Sequence, residues 1–184
     1  MTANEYQRLA MRTSPRDGHD KMDNAVLGLI GETGEIVDEY KKFIYQSKPG
    51  TELPAQKFAK EAGDVMWYIA ELADGMEICL GDAIGNDFGA FDKETRERGT
   101  LPSVRNAVLE LHRIAHMILI SVEQNMQIMI RRYMREMMLW IAEFACIIGY
   151  DTEQIAEMNI AKLKKRYPNG FDAGISMERY EDEK

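Results

Sequence analysis

The sequence predicts an all-α fold, a helical bundle, and three observations support this. Apolar residues recur at helical spacing through most of the 184 residues. No segment rich in Val, Ile and Thr alternates as a half-buried strand would. The stretch 103–150 contains one glycine, Gly149, and no proline. With 45% hydrophobic residues, the chain is long and apolar enough for one globular domain.

The first three helices are predicted from the breaks between them. A short helix covers about 3–13, with Thr2 as its N-cap, and ends before SPRDGHD. The second runs from about 21 to 46 and ends at QSKPGTELP, where proline and glycine stop it. The third covers about 55–83.

The second half of the chain begins with a polar, glycine-bearing segment, 84–102, which we interpret as an irregular connection. The long glycine-poor stretch that follows exceeds an ordinary helix, so we divide it near 123–127 into two. Asp151 with Gln154 three residues later is typical of a capping box and starts the last helix, which stops at Pro168.

The predicted organisation is a single domain, 1–177, followed by a charged tail, 178–184. It has a four-helix core and a helical hairpin, within 84–150, inserted before the last helix. Two short similarities accompany this hairpin: NAVL occurs twice, and WYIAELA resembles LWIAEFA. A duplicated hairpin and a chance likeness between amphipathic helices are both compatible with them. If the duplication is real, the second copy lacks three of the four acids considered below.

Composition and charge exclude some functions. The net charge of −8 disfavours a broad nucleic-acid-binding surface, which needs a basic field. The N-terminus is polar, and no stretch approaches the apolar length of a membrane span. Cys79 and Cys146 lie in apolar helical runs and are expected to be reduced core residues. We therefore expect a cytoplasmic protein without nucleic-acid or membrane partners.

Two pairs of acids carry the strongest chemical signal. Glu32 and Glu35, in GLIGETGEIVDEY, share one face of the second helix, and Glu61 and Asp64 repeat this spacing on the third. If the two helices form an antiparallel hairpin, the pairs meet. Converging carboxylates repel one another, and a hard divalent cation such as Mg²⁺ removes the conflict. The alternative is a solvated acidic face.

The surroundings of these acids favour the metal site. The acids interrupt apolar runs, VLGLI and VMWYIA, that would otherwise face the core. Gly31, Gly34 and Gly63 lie beside them, and glycines permit close approach of a helix or a ligand. Asp38 and Glu39 are either a supporting shell or merely solvated.

The same residues resemble a known family. The chain has an ExxE motif that is followed, after 25 residues, by an ExxD motif. This pattern is similar to the metal-binding signature of the MazG-like all-α NTP pyrophosphohydrolases. GLIGETGEIVDEYKK and KEAGDVMWYIAEL resemble its two motif helices, and NIAKLKKRYPNGF resembles its closing helix. The resemblance covers roughly 1–80 and 151–177.

The resemblance implies Mg²⁺-dependent hydrolysis of a nucleoside triphosphate to the monophosphate and pyrophosphate, with Mn²⁺ as a substitute metal. Glu32, Glu35, Glu61 and Asp64 would hold the metal. Spacing alone does not distinguish a base from a ligand, and we assign the general base to Glu35. The expected substrate is a standard or modified deoxynucleotide. A homo-oligomer is expected, with a dimer favoured.

Basic and aromatic residues complete the predicted site. The last helix carries the densest basic patch of an acidic protein, and we interpret it as phosphate-binding: Asn159, Lys162, Lys165 and Arg166. Ordinary charge at a helix C-terminus is the simpler alternative. Three residues are candidates for contacting the base: Trp67, Tyr68 and Gln7. For the two aromatics, a place in the core is the alternative.

Three other functions are weaker. His112 and His116 have a zinc-compatible spacing, but HRIAH lacks the glutamate of HExxH and no third ligand is evident. A di-iron carboxylate bundle needs Glu-x-x-His pairs, which no histidine of the chain forms. A non-catalytic helical nucleotide-binding or scaffold protein has no need of an uncompensated acidic cluster.

Overall fold

The computed structural model describes residues 1–15, 20–174 and 177, and within them the chain is all-α, as predicted. The first helix is α1, Ala3–Ala10, which a 3₁₀ turn, Met11–Thr13, extends. The other helices are α2 Lys21–Gln46, α3 Ala55–Gly75, α4 Leu80–Ile84, α5 Phe88–Arg98, α6 Val104–Glu123, α7 Gln127–Ile147 and α8 Thr152–Arg166. The predicted charged tail, 178–184, lies outside the described residues.

Side-chain caps fix several helix starts where the sequence predicts them. Thr2 Oγ1 accepts a hydrogen bond from the backbone N–H of Glu5 at 3.1 Å. Asp151 and Gln154 form the reciprocal capping box at the start of α8. The division of the long helical stretch is confirmed, because α6 ends at Glu123 and α7 begins at Gln127.

The third helix is shorter than predicted. It ends at Gly75, and Glu77 adopts a left-handed φ of 56° while the backbone N–H of Ile78 donates to Ala73 O. The chain then turns into the short α4. The amide side chain of Gln7 stabilises this turn by donating to Ile78 O and accepting from the Leu80 N–H.

The prediction of an irregular connection over 84–102 is wrong, because most of it forms α5. Phe88, Phe91 and Thr95 are spaced for one helical face and are buried. Asp87 caps the helix start, and Gly99 ends it with a left-handed φ of 71°. Tertiary burial of a few residues thus organises a segment whose overall composition is polar.

The core is built from two helical hairpins. The most extensive helix contacts join α2 to α3, then α6 to α7, and α2 packs against α6. α8 lies mainly against α3. Cys79 and Cys146 are exposed rather than buried in this core, so that prediction is wrong; both are free thiols. Among the described helices, none combines the length and apolar character needed to cross a lipid bilayer.

Candidate metal centre

The α2–α3 hairpin is antiparallel, and three cross-contacts define its register. Asn24 Nδ2 donates to Glu71 Oε2 at 2.6 Å near one end. Gly28 faces the ring of Tyr68 so closely that a Cβ on Gly28 would lie 2.1 Å from Tyr68 Cε1. One further turn along, the acids of the two helices come together. The glycine is needed at this crossing because any larger side chain would meet the ring.

Three carboxylates converge at this last crossing. Glu32, Glu61 and Asp64 each place one oxygen within 4.8 Å of the others. All three side chains are half-buried. Hard oxygen donors at this separation suit a divalent cation such as Mg²⁺, which accepts a few carboxylates and retains water ligands. The donor set is therefore compatible with a divalent cation.

Asp64 is held from a second direction by α8. Its Oδ1 accepts a hydrogen bond from Asn159 Nδ2 at 3.0 Å and also pairs with the Lys162 ammonium. The buried Tyr6 hydroxyl donates to Asn159 Oδ1 at 2.9 Å. A chain of polar contacts therefore fixes the rotamer of Asp64, while Lys162 offsets part of the negative charge.

Close approach of α8 to α3 makes these contacts available. A Cβ on Gly63 would lie 3.0 Å from Asn159 Cβ, which explains a glycine beside Asp64. Among the described residues, none of a neighbouring helix approaches Gly31 or Gly34 as closely, so the expected close approach of a helix is not found at these two positions. In the described part of the chain, apart from the surrounding backbone of α2 itself, no atom lies within 4 Å of a Cβ on Gly31, and only the edge of the His112 ring lies at 4.0 Å from one on Gly34.

Burial and mutual repulsion raise the pKa values of two acids in the cluster. Burial, followed by the charges of Asp64 and Glu61, raises the pKa of Glu32 from 4.5 to about 7. Burial also raises the pKa of Glu61, although Lys60 opposes the shift. The pKa of Tyr6 lies well above its usual value because its hydroxyl is buried and Asp64 is close. At neutral pH the cluster binds a proton readily, and a cation would compete with it.

Glu35 lies outside the three-carboxylate cluster. Its side chain is exposed, but it lines the same cavity as the cluster. Asp38 and Glu39 are half-buried, form ion pairs with lysines and do not line the cavity, so they are not a supporting shell of the cluster. Asp38 pairs with two lysines of its own helix, and Glu39 Oε2 lies 3.3 Å from Lys57 Nζ.

The cluster forms one side of a cavity of about 530 Å³. Four aromatic residues, from α3 and from the segment after α8, also line it: Trp67, Tyr68, Tyr167 and Phe171. Two cations, Lys60 and Arg166, belong to the lining as well. The Trp67 Nε1–H donates to Thr13 Oγ1 at 3.0 Å, which fixes the indole. Acids, a guanidinium and aromatic surfaces thus share one concave site.

Not every predicted site residue reaches this cavity. Arg166 lines it, and Lys162 contacts it through Asp64. Asn159 is buried, and its side-chain amide is hydrogen-bonded to both Tyr6 and Asp64, so its role is to position the cluster. Lys165 is exposed and does not line the cavity. Gln7 holds the α3–α4 turn instead.

Sequence reasoning missed several residues that line the cavity: Asn24, Lys60, Tyr167 and Phe171. The antiparallel register that brings Glu32 to Asp64 also brings Asn24 to Glu71, so counting back along the hairpin would have found Asn24. Tyr167 and Phe171 had no such signal. The backbone N–H of Phe171 donates to Arg12 O at 2.9 Å, a contact between distant parts of the chain.

The two helical histidines pair with each other and with α2. The His112 and His116 rings lie 4.7 Å apart, and His112 Nδ1 lies 2.9 Å from Thr33 Oγ1. They contact neither an acid cluster nor a cysteine among the described groupings of metal-ligating side chains. Their part in the structure is to join α6 to α2.

Fold and site together define an all-α bundle whose central hairpin carries a carboxylate cluster. The chain is 31% identical over 87 residues to the Gene 37 protein of Mycobacterium phage L5, and the aligned region spans 46% of this chain and 75% of that protein. The chain belongs to the same family as this phage protein. No protein-family model matches the chain, and no solved structure does.

Proposed function

We propose that the protein is a metal-dependent nucleoside triphosphate pyrophosphohydrolase of the MazG-like type. The observation that carries this proposal is the meeting of Glu32, Glu61 and Asp64 in one cavity with a guanidinium and aromatic rings. The order of the sequence motifs, ExxE, ExxD and NIAKLKKRYPNGF, also supports it. The reaction is attack of water on the α-phosphorus, with breakage of the α–β anhydride bond and release of pyrophosphate.

The three clustered carboxylates would hold Mg²⁺, or Mn²⁺ in its place. When bound, the metal supplies charge neutralisation of the phosphate oxygens and a lower pKa for a bound water. Asn159 and Lys162 engage Asp64 from α8 and keep its carboxylate oriented toward Glu32 and Glu61. Such outer contacts fix the geometry of metal ligands in many proteins.

Other residues act on the substrate. Glu35 faces the cavity outside the cluster, so its carboxylate is free to accept the proton that water loses during attack. Arg166 grips a phosphate through two N–H donors. The rings of Trp67 and Tyr68, whose centroids lie 4.9 Å apart, offer surfaces for a nucleobase.

The test is pyrophosphate release from a panel of NTPs and dNTPs with Mg²⁺ or Mn²⁺. Glu61→Gln should abolish turnover, and Glu35→Ala should reduce it by about 10²–10⁴-fold, the usual contribution of a general base. Glu39→Gln is the matched control, since Glu39 lies one turn from Glu35 on the same helix but pairs with Lys42 and Lys57 and does not line the cavity. That control should keep wild-type activity.

Two results would count against the proposal. One is no turnover of any nucleotide with either metal; the other is wild-type turnover by Glu61→Gln. If Mg²⁺ with a non-hydrolysable dNTP raises the melting temperature but no nucleotide is cleaved, the protein binds nucleotides without catalysis.

A further inference from the structure

The cavity extends along the hairpin well beyond the carboxylate cluster. Asn24 and Glu32 lie on the same side of α2, eight residues apart, so about 12 Å of helix separates them. Both line the cavity, and Tyr68 lies between them on the facing helix. A nucleotide with its phosphates at Glu32 would therefore extend its base toward Asn24.

Asn24 is oriented by a buried acid. Glu71 has 0% of its surface exposed. Its Oε1 accepts a hydrogen bond from the Ser14 hydroxyl at 2.8 Å, and its Oε2 accepts one from Asn24 Nδ2 at 2.6 Å. A carboxylate that accepts hydrogen bonds requires the amide nitrogen, not the oxygen, on its side. The oxygen, Oδ1, is turned away from Glu71.

This arrangement leaves an acceptor for a ligand. Within the described part of the chain, Asn24 Oδ1 accepts no protein hydrogen bond, whereas Nδ2 is engaged. An amide oxygen held in this way pairs with an N–H donor and is poorly matched to a carbonyl oxygen. A polar group without its partner in a partly buried site costs binding energy, so such a site discriminates between donor and acceptor edges.

We propose that Asn24 is a specificity-determining residue that accepts a hydrogen bond from the exocyclic amino group of a nucleobase. The inference rests on the proposed function and adds a substrate class to it. Bases with an amino group at pyrimidine position 4 or purine position 6 are preferred over those with a keto group there. Glu71 and Ser14 position Asn24 and do not contact the base.

The test uses substrate pairs in which a keto oxygen replaces this amino group and the adjacent ring nitrogen gains a proton: dCTP against dUTP, and dATP against dITP. For the wild type, kcat/KM should favour the amino member of each pair by about tenfold or more, as expected for one discriminating hydrogen bond. Asn24→Ala should bring both ratios close to one while hydrolysis of the keto members continues. Asn24→Ser keeps a shorter polar group and serves if Asn24→Ala does not fold.

The second NAVL segment provides a matched control. Asn106→Ala removes the corresponding, exposed asparagine of α6, which does not line the cavity, so both ratios should stay at their wild-type values. The inference is overturned if the wild type prefers the keto members, or if Asn24→Ala keeps the wild-type ratios or slows all four nucleotides equally. In those cases the hydrolase activity itself still stands. No turnover of any nucleotide by the wild type would instead remove the proposed function, and this inference with it.

Discussion

Replacing Glu32 by Gln should stabilise the metal-free protein at alkaline pH, although it removes a residue of the proposed metal centre. The pKa of Glu32 is about 7 in the folded protein, against 4.5 for an unperturbed glutamate side chain. The folded state therefore binds more protons than the unfolded state between these values, and the free energy of unfolding falls as pH rises through this window. Below this pH range Glu32 is protonated in both the folded and the unfolded state, so its burial no longer lowers the free energy of unfolding.

The size of the effect follows from the shift. Raising a pKa from 4.5 to about 7 corresponds to about 3 kcal/mol at pH values above the folded pKa. In EDTA at about pH 8, Glu32→Gln should be more stable than wild type by up to that amount, or about 6–12 °C in melting temperature. At about pH 4.5 the two proteins should melt within about 1–2 °C of each other. Thermal melts followed by circular dichroism measure both.

Glu39→Gln is a control that should change the stability in the opposite direction. Burial alone would raise the pKa of Glu39, but hydrogen bonds from Lys57 and Lys42 lower it on balance, so removing its charge should slightly destabilise the protein. Saturating Mg²⁺ at about pH 8 should raise the melting temperature of wild type more than that of Glu32→Gln. The reasoning is refuted if Glu32→Gln is no more stable than wild type in EDTA at about pH 8, or if their difference is independent of pH.

Three further substitutions test the contacts around the site. Gly28→Ala should lower the free energy of unfolding by about 1–2 kcal/mol in urea titrations, because its Cβ would overlap the ring of Tyr68. Gly31→Ala should raise the free energy of unfolding by about 0.4–1 kcal/mol, because among the described residues no other helix lies near its Cβ. Equal effects of the two would show that the ring moves freely. Tyr6→Phe removes the donor to Asn159 and should cost about 1–2 kcal/mol in the same titration, and Mg²⁺ affinity measured by calorimetry should weaken; unchanged values would remove Tyr6 from the network.

Local signals explain which helices were predictable. The starts of α1 and α8 carry side-chain caps, Thr2 and Asp151, and α2 has a proline-containing break after it, so their bounds follow from short stretches of sequence. α5 has no comparable signal in its composition. Its helix depends on burying Phe88 and Phe91 against distant elements, and such burial cannot be inferred from a polar segment alone.

The carboxylate cluster was predictable because it needs only helix periodicity and one antiparallel turn. Those two rules bring Glu32 opposite Asp64 and Glu61, as observed. The same rules do not determine how far a fourth acid turns toward solvent. Glu35, one turn beyond Glu32, is exposed, and the distinction between a ligand and a free base depends on the exact rotation of α2.

The last helix shows why residue type alone misassigns roles. Asn159 and Lys162 were predicted to bind phosphate because they share a basic face, yet both engage Asp64. The close crossing of α8 over Gly63 brings them to the carboxylate before any substrate does. A cation placed against the cluster would compete with the Lys162 ammonium for Asp64. Release of that ammonium would make Lys162 available beside Arg166, so metal binding and phosphate binding should strengthen each other.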